Sequence, residues 1–562
     1  MSDASEARVP NPALPLPEGV RPPHSPLAGS PQPPSEQKQA PIRLIRIEPF
    51  HIRTLFCNFV DMNLKSLFLT AALLCGSLAG SLSAQTNPKR EFRGAWLHII
   101  GQSQYMNKTT EQNKKYIIDQ LNKLQAAGCN AVIFQVRPTA DAFYPSELEP
   151  WTAWAAGKRG KAPYPAWDPM QFTLDEAHKR GMEFHAWLNP YRVTSDPKEV
   201  LPASHPAIKN PERFVRYGGK LYFDPALGEN RDFICSVVDD ILDRYDVDGI
   251  HIDDYFYPYP EPGKKFNDDA SYAKLGNGMN RNDWRRHNVN LLIEQLYGTI
   301  KAKKPWVRFG VSPFGIWRNK KNDPRGSESN GLQNYDDLYA DVLLWAENGW
   351  VDYLAPQLYW SLDKTVAPSR HLAKWWNDNV HGADVYIGTD VRQTMTTADT
   401  KAGKKDELDT KIKLSRELPN VGGNIWWHGY WVTDNLNGVA DRLASDYQST
   451  LALPPVYGDD RIVPEKPPHG RVTKEGDKMF LSWDLPEVGS YQKETDPVRY
   501  AVYDFFPGEE VNLSDPEAII SITSEHKVHV ADKQADVEGH TYAVTSIDRM
   551  NRESVPLLIK VK

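Results

Sequence analysis

The chain has 562 residues and a net charge of −7 from 66 basic and 73 acidic residues, so it can build two or more domains and lacks the basic excess of a nucleic-acid binder. Aromatic residues make up 11%, with 17 Trp and 25 Tyr, a load that suits a cleft stacking on flat sugar faces as well as it suits a large aromatic core. The four cysteines, Cys57, Cys75, Cys129 and Cys235, have no metal-site spacing and form no disulfide framework; Cys129 and Cys235 read as buried thiols or as each other's partner.

Residues 1 to about 45 are rich in Pro, Ser and Gln and lack any apolar period, the composition of a disordered segment. From Met62 the character changes: Lys65 precedes an apolar run from Leu67 to Leu82, followed by Ser83, Ala84 and Gln85. A charged start, an apolar middle and a small-residue exit are the three parts of a secretory signal. This pattern predicts translation from Met62, an upstream extension over 1–61, a signal peptide over 62–84 and an exported product of the periplasm or cell envelope. A single membrane anchor behind a polar tail is the alternative. Lipidation at Cys75 would also tie the protein to a membrane, but Leu74 stands where a lipoprotein signal carries Gly, Ala or Ser.

Over 91–453 short β-rich runs alternate with amphipathic stretches. The strands read 92–98, 130–137, 183–188, 247–253, 307–312, 351–358, 384–389 and 422–427, with helices near 110–127, 168–180, 230–245, 284–303, 333–348, 368–380, 404–417 and 436–450. Eight such units predict a (β/α)8 barrel. The connections after strands two to five far exceed the usual length of about 2–6 residues, which puts the extra chain on the face where barrel enzymes keep their sites.

The fourth strand is the centre of this reading. Val247, Ile250 and Ile252 form an apolar run that ends in two adjacent carboxylates, Asp253 and Asp254. Strand alternation places His251, Asp253 and Tyr255 on one face and Ile250, Ile252 and Asp254 on the other, so the two acids flank one bond only if the strand has ended by Asp254. The other strand ends add His98, Arg137, Asp141, Asn189, Tyr191, Arg192, Trp317, Gln357, Tyr359, Trp360, Asp390, Trp426 and Trp427, with Tyr257 just past the acids. Hydrogen-bonding groups thus alternate with flat rings around one rim, as expected of a polysaccharide cleft. Over 460–562, seven short alternating runs predict a β-sandwich with Trp483 and Tyr542 in its core and no constellation for chemistry.

The stretches FRGAW at 92–96, QVRPTADAFYPS at 135–146, AWLNPYR at 186–192, GIHIDDYFYP at 249–258, GVSPFGIWR at 310–318 and PQLYW at 356–360 together resemble the glycoside hydrolase-like family 10 proteins. The resemblance implies a (β/α)8 hydrolase of exported bacterial glycans with a fibronectin type III-like tail, some members of the family acting on peptidoglycan strands stripped of peptides. A second resemblance, to the family 18 barrel hydrolases, aligns Asp248, Gly249 and Asp253 but puts His251 in place of an inner aspartate and Tyr255 in place of the acid glutamate. That departure removes the proton donor of the second family.

Cleaving a glycosidic bond needs a proton donor and a carboxylate. Asp253 or Asp254 is the candidate general acid, its pKa raised by burial and by its neighbour, and the second carboxylate is the other member of the pair, Asp141 or Asp390. Arg137, Asn189, Tyr191, Arg192, Gln357 and Tyr359 would bind hydroxyl and acetamido groups, and Trp317, Trp360, Trp426 and Trp427 would stack on sugars. No cofactor or metal is expected. Two competing readings are a hydrolase or deacetylase holding a divalent ion on Asp253, Asp254, His251 and His98, and a barrel that binds glycan without turnover.

Overall fold

The computed structural model describes residues 87–562 apart from Asn107 and Ser490. The expected extension and signal segment lie outside the described residues.

Eight parallel strands close into a barrel: β1 (Phe92–Leu97), β2 (Ala131–Arg137), β3 (Glu183–Leu188), β6 (Gly249–Ile252), β7 (Arg308–Val311), β8 (Tyr353–Leu354), β9 (Asp384–Asp390) and β10 (Val421–Trp427). A hairpin, β4 (Phe214–Tyr217) and β5 (Lys220–Phe223), interrupts the long connection after β3 and was not expected from the sequence. Covering helices include Thr110–Ala126, Pro169–Lys179, Gly228–Arg244, Arg281–Lys303, Ser369–Asn379 and Leu408–Glu417. Their starts follow local chemistry, with a capping box from Thr109 to Gln112 and an Asp168 cap ahead of Pro169. The helix expected over 333–348 is instead two short ones, Asn334–Asp337 and Val342–Glu347, and the one expected over 436–450 is a broken series of single turns.

Alternation sorts the side chains into two cores. Outward residues such as Leu97, Val132, Phe134, Ile250 and Ile252 meet the helices, whereas Phe92, Trp96, Ile133, Trp187, Tyr353, Tyr386 and Ile425 fill the barrel interior. Two glycines make room for that interior. A Cβ on Gly249 would stand 2.4 Å from the His185 ring, and one on Gly310 would stand 1.9 Å from the Tyr353 ring.

Seven further strands follow in two antiparallel sheets. One runs β11 (Gly470–Glu475), β12 (Lys478–Trp483) and β15 (Lys527–Ala531); the other has the order β14-β13-β16-β17, from β13 (Pro497–Phe505), β14 (Ile519–Thr523), β16 (Thr541–Asp548) and β17 (Leu557–Lys560). Trp483 and Tyr542 lie in the core between the sheets, as expected. Past this core, the module docks on the end of the barrel opposite the site. Asn551 Nδ2 donates to Glu183 at 2.7 Å, Arg499 stands 3.7 Å from Glu183 and 3.4 Å from Asp248, and Arg549 pairs with Asp246 at 2.5 Å. Cys129 and Cys235 are buried and free, so the pairing alternative does not hold.

Candidate active site

The strand β6 ends at Ile252, so Asp253 and Asp254 occupy the first two positions beyond it and alternation no longer forces them apart. Both are almost fully buried, at 4% and 2% exposure. Asp253 accepts from Trp187 Nε1 at 3.2 Å and from Asn189 Nδ2 at 3.1 Å; Asp254 accepts from the Tyr259 hydroxyl and from Gln357. Burial, reinforced by the charge of Asp254, pushes the Asp253 carboxyl up to about 7. Burial pushes Asp254 up to about 6, against the pull of the Tyr259 and Gln357 hydrogen bonds. Near neutral pH the pair can therefore offer one acid and one carboxylate.

A half-buried aromatic wall stands beside the acids. Tyr359 and Trp427 lie parallel, their rings 6.1 Å apart and tilted by 6°, and the Trp427 edge meets Trp187 and Trp96. Trp360, also half-buried, packs edge-on against Phe314 at 5.3 Å. His98 and His428 adjoin Trp427, and burial keeps both rings uncharged at neutral pH by lowering His98 far below its ordinary value and His428 to about 4.

Below this floor a polar chain runs through the barrel. Trp96 Nε1 donates to His251 Nε2 at 3.2 Å, and an indole N–H cannot accept, so that nitrogen is the acceptor and Nδ1 of the neutral ring carries the proton. His251 Nδ1 then donates to Tyr353 at 2.9 Å, Tyr353 to His185 Nδ1 at 2.8 Å, and His185 Nε2 to Glu183 at 3.1 Å. Glu183 is the carboxylate that the second module holds from below. His251 is thus committed to the scaffold and corrects its expected place on the substrate.

Several other expectations change in the same way. Arg137 is fully buried in a two-pronged ion pair with Glu149, both contacts at 2.6 Å, and Asp141 is paired with Arg159 at 2.8 Å, so neither faces the cleft. Tyr191 and Tyr257 lie in the layer between strands and helices, Tyr257 edge-on to Phe266 and Tyr339. Trp317 is stacked on Trp375 in the core, and Trp426 points outward from β10 into the helix layer, both fully buried. Asp390 caps the helix Val391–Thr396 by accepting from Gln393 N at 2.6 Å. What converges is Asp253, Asp254, Asn189, Arg192, Tyr255, Gln357, Tyr359 and Trp427, with Trp360 and His98 along the same rim.

Of the acid environment, sequence reasoning noted Trp187 at the end of the third strand without giving it a role and missed Tyr259. Trp187 shares the inward parity of His185, and Tyr259 ends the alternating run Tyr255, Tyr257, Tyr259, so both carried a signal. His251, one of the four ligands of the metal-ion alternative, has both ring nitrogens engaged within the barrel and is not turned to Asp253 and Asp254 as a ligand.

The family model for glycosyl hydrolase-like 10 matches residues 91–404. The chain belongs to this family. Among its relatives, glycosyl hydrolase YngK of Bacillus subtilis (strain 168) is 38% identical over 501 residues, spanning 86% of this chain and 96% of that one. Glycosyl hydrolase DigH of Escherichia coli (strain K12) is 37% identical over 383 residues, 62% of this chain and 85% of its own. Among solved structures, the glycoside hydrolase domain of PgaB (BpsB) from Bordetella bronchiseptica aligns with a TM-score of 0.43 at 11% identity, covering 64% of this chain and 99% of that one.

Proposed function

We propose that this member of the glycosyl hydrolase-like 10 family is an exported glycosidase that cleaves N-acetylated amino-sugar glycans, peptide-free peptidoglycan strands first. The observation that carries this reading is the buried Asp253–Asp254 pair at the C-terminal end of a barrel strand, with its carboxyls raised to about 7 and 6 beside the Tyr359–Trp427 wall. Asp253, the more strongly raised acid, holds the proton and gives it to the leaving oxygen as the glycosidic bond breaks. Asp254, kept ionised by Tyr259 and Gln357, faces the developing positive charge on the sugar ring; water adds at that carbon, and the proton it releases restores the acid. Asn189, Gln357 and Tyr359 meet acetamido and hydroxyl groups, and Trp427 and Trp360 stack on rings.

Export rests on the signal pattern from Met62, which predicts a mature start near Gln85. The strand order of the two sheets after the barrel supports a fibronectin type III-like module. The test digests peptide-free peptidoglycan, intact sacculi, chitin oligomers and plant β-glucans side by side, with mass spectrometry of the products. New reducing ends on the peptide-free strands are expected; cleavage of neutral glucans with the N-acetylated glycans untouched overturns the substrate, and glycan binding without any cleavage overturns the activity.

A further inference from the structure

Eight arginines are buried among the described residues, and all but one of them, from Arg93 to Arg552, hold an Asp or Glu oxygen in an ion pair. The exception is Arg192, only 7% exposed, whose charge acts on both acids of the pair. Its guanidinium lies over the Tyr255 ring at 4.4 Å, Nη2 donates to the Pro138 carbonyl at 3.0 Å, and Nε has no partner. Its backbone N–H donates to Asn189 Oδ1 at 3.2 Å, and the same Asn189 side chain donates to Asp253, so this arginine is registered to the reaction centre. The field of Arg192 reaches Asp253 and Asp254, yet neither carboxylate comes within ion-pair distance.

A guanidinium taken out of water without a counter-ion is costly, and the chain compensates every other buried one. Stacked on a ring, with Nε unpaired and no carboxylate in reach, the Arg192 guanidinium keeps the flat charged donor set that matches a carboxylate. We infer that Arg192 receives a carboxylate carried by the glycan itself, which makes an acidic amino-sugar strand the substrate of this site. The inference rests on the reading that the site cleaves N-acetylated amino-sugar strands. It gives that reading a physical basis for preferring stripped strands: the lactyl carboxylate of muramic acid is free and charged once the peptide is gone, whereas in a peptide-bearing strand it is a neutral amide with a bulky extension.

The test uses the purified full chain on three matched preparations: peptide-stripped strands, the same strands with their carboxyl groups reduced to alcohols, and peptide-bearing strands. Wild type should cleave the stripped strands with kcat/KM about tenfold or more above the carboxyl-reduced ones, the scale of one charge-assisted hydrogen-bonded pair. Arg192→Gln should bring that ratio toward one, with Arg192→Lys between the two. A ratio near one in wild type, or an unchanged ratio in Arg192→Gln, overturns the inference. If Arg192→Gln melts too early to assay, Arg192→Lys decides in its place, an undiminished ratio being the overturning result. If wild type cuts none of the preparations, the proposed activity fails separately; equilibrium binding of stripped against carboxyl-reduced strands then decides, with equal affinity counting against Arg192.

Discussion

Asp253 is held up at about 7 by burial and by the charge of Asp254, and Asp254 at about 6 by burial, so activity that needs the first protonated and the second ionised has a narrow window. The pH profile of kcat/KM should rise through about 6 and fall through about 7, read on a soluble oligosaccharide. Asp253→Asn and Asp254→Asn should each lower turnover by about a hundredfold or more, since general acid-base groups contribute on that scale. A leaving group that needs no proton, such as a glycosyl fluoride, should rescue Asp253→Asn and not Asp254→Asn; rescue of the other variant reverses the roles. The same shift bears on stability. A carboxyl raised from about 3.9 in the unfolded chain stabilises the fold below that pH and loses its contribution as pH rises through its folded value. Asp253→Asn should therefore raise the melting temperature relative to wild type at pH 8 and show no such gain at pH 4, in paired thermal melts.

Strand parity in β10 separates two adjacent tryptophans that look alike in sequence. Trp427 points inward to Tyr359 and is half-buried, whereas Trp426 points outward and is sealed under helices. Trp427→Ala should weaken oligosaccharide binding about tenfold with the melt nearly unchanged, and Trp426→Ala should cost about 3–5 kcal/mol of stability while any remaining folded enzyme keeps its affinity. Calorimetric titration beside chemical denaturation distinguishes these outcomes. The β4–β5 hairpin acts on the acids through one further contact. Tyr217 on β4 donates to the Tyr259 carbonyl at 3.2 Å, and Tyr259 donates to Asp254. Tyr259→Phe removes a hydrogen bond that lowers the Asp254 pKa, so the rising limb of the pH profile should move to higher pH.

The two modules share one buried charge system. Glu183 accepts from His185 above and from Asn551 below, with Arg499 at 3.7 Å, so the polar chain that begins under the substrate floor ends at the second module. Removing one partner of a buried pair leaves the other uncompensated, which typically costs about 3–5 kcal/mol. Arg499→Met should therefore destabilise the whole chain on that scale rather than release an intact barrel, measured as a single shifted denaturation transition. Two well-separated transitions with the barrel unaffected would show that the module is only a spacer.

Eight barrel strands and seven sandwich strands were legible in the sequence because short β-branched and aromatic runs between turn residues report local alternation. The carboxylate pair was legible for the same reason, as acids closing an apolar run. The partners of those acids were not legible. Which of Arg137 and Arg192 meets a carboxylate depends on Glu149, twelve residues from one and remote from the other, and no local pattern encodes that pairing. Trp317 and Trp360 both follow barrel strands, but only the packing of Trp375 onto the first decides that it is core. Local periodicity determines where strands run and which way side chains point; burial and ion pairing arise between segments far apart in the chain, so only the closed barrel with its docked second module decided which polar groups remain for the substrate.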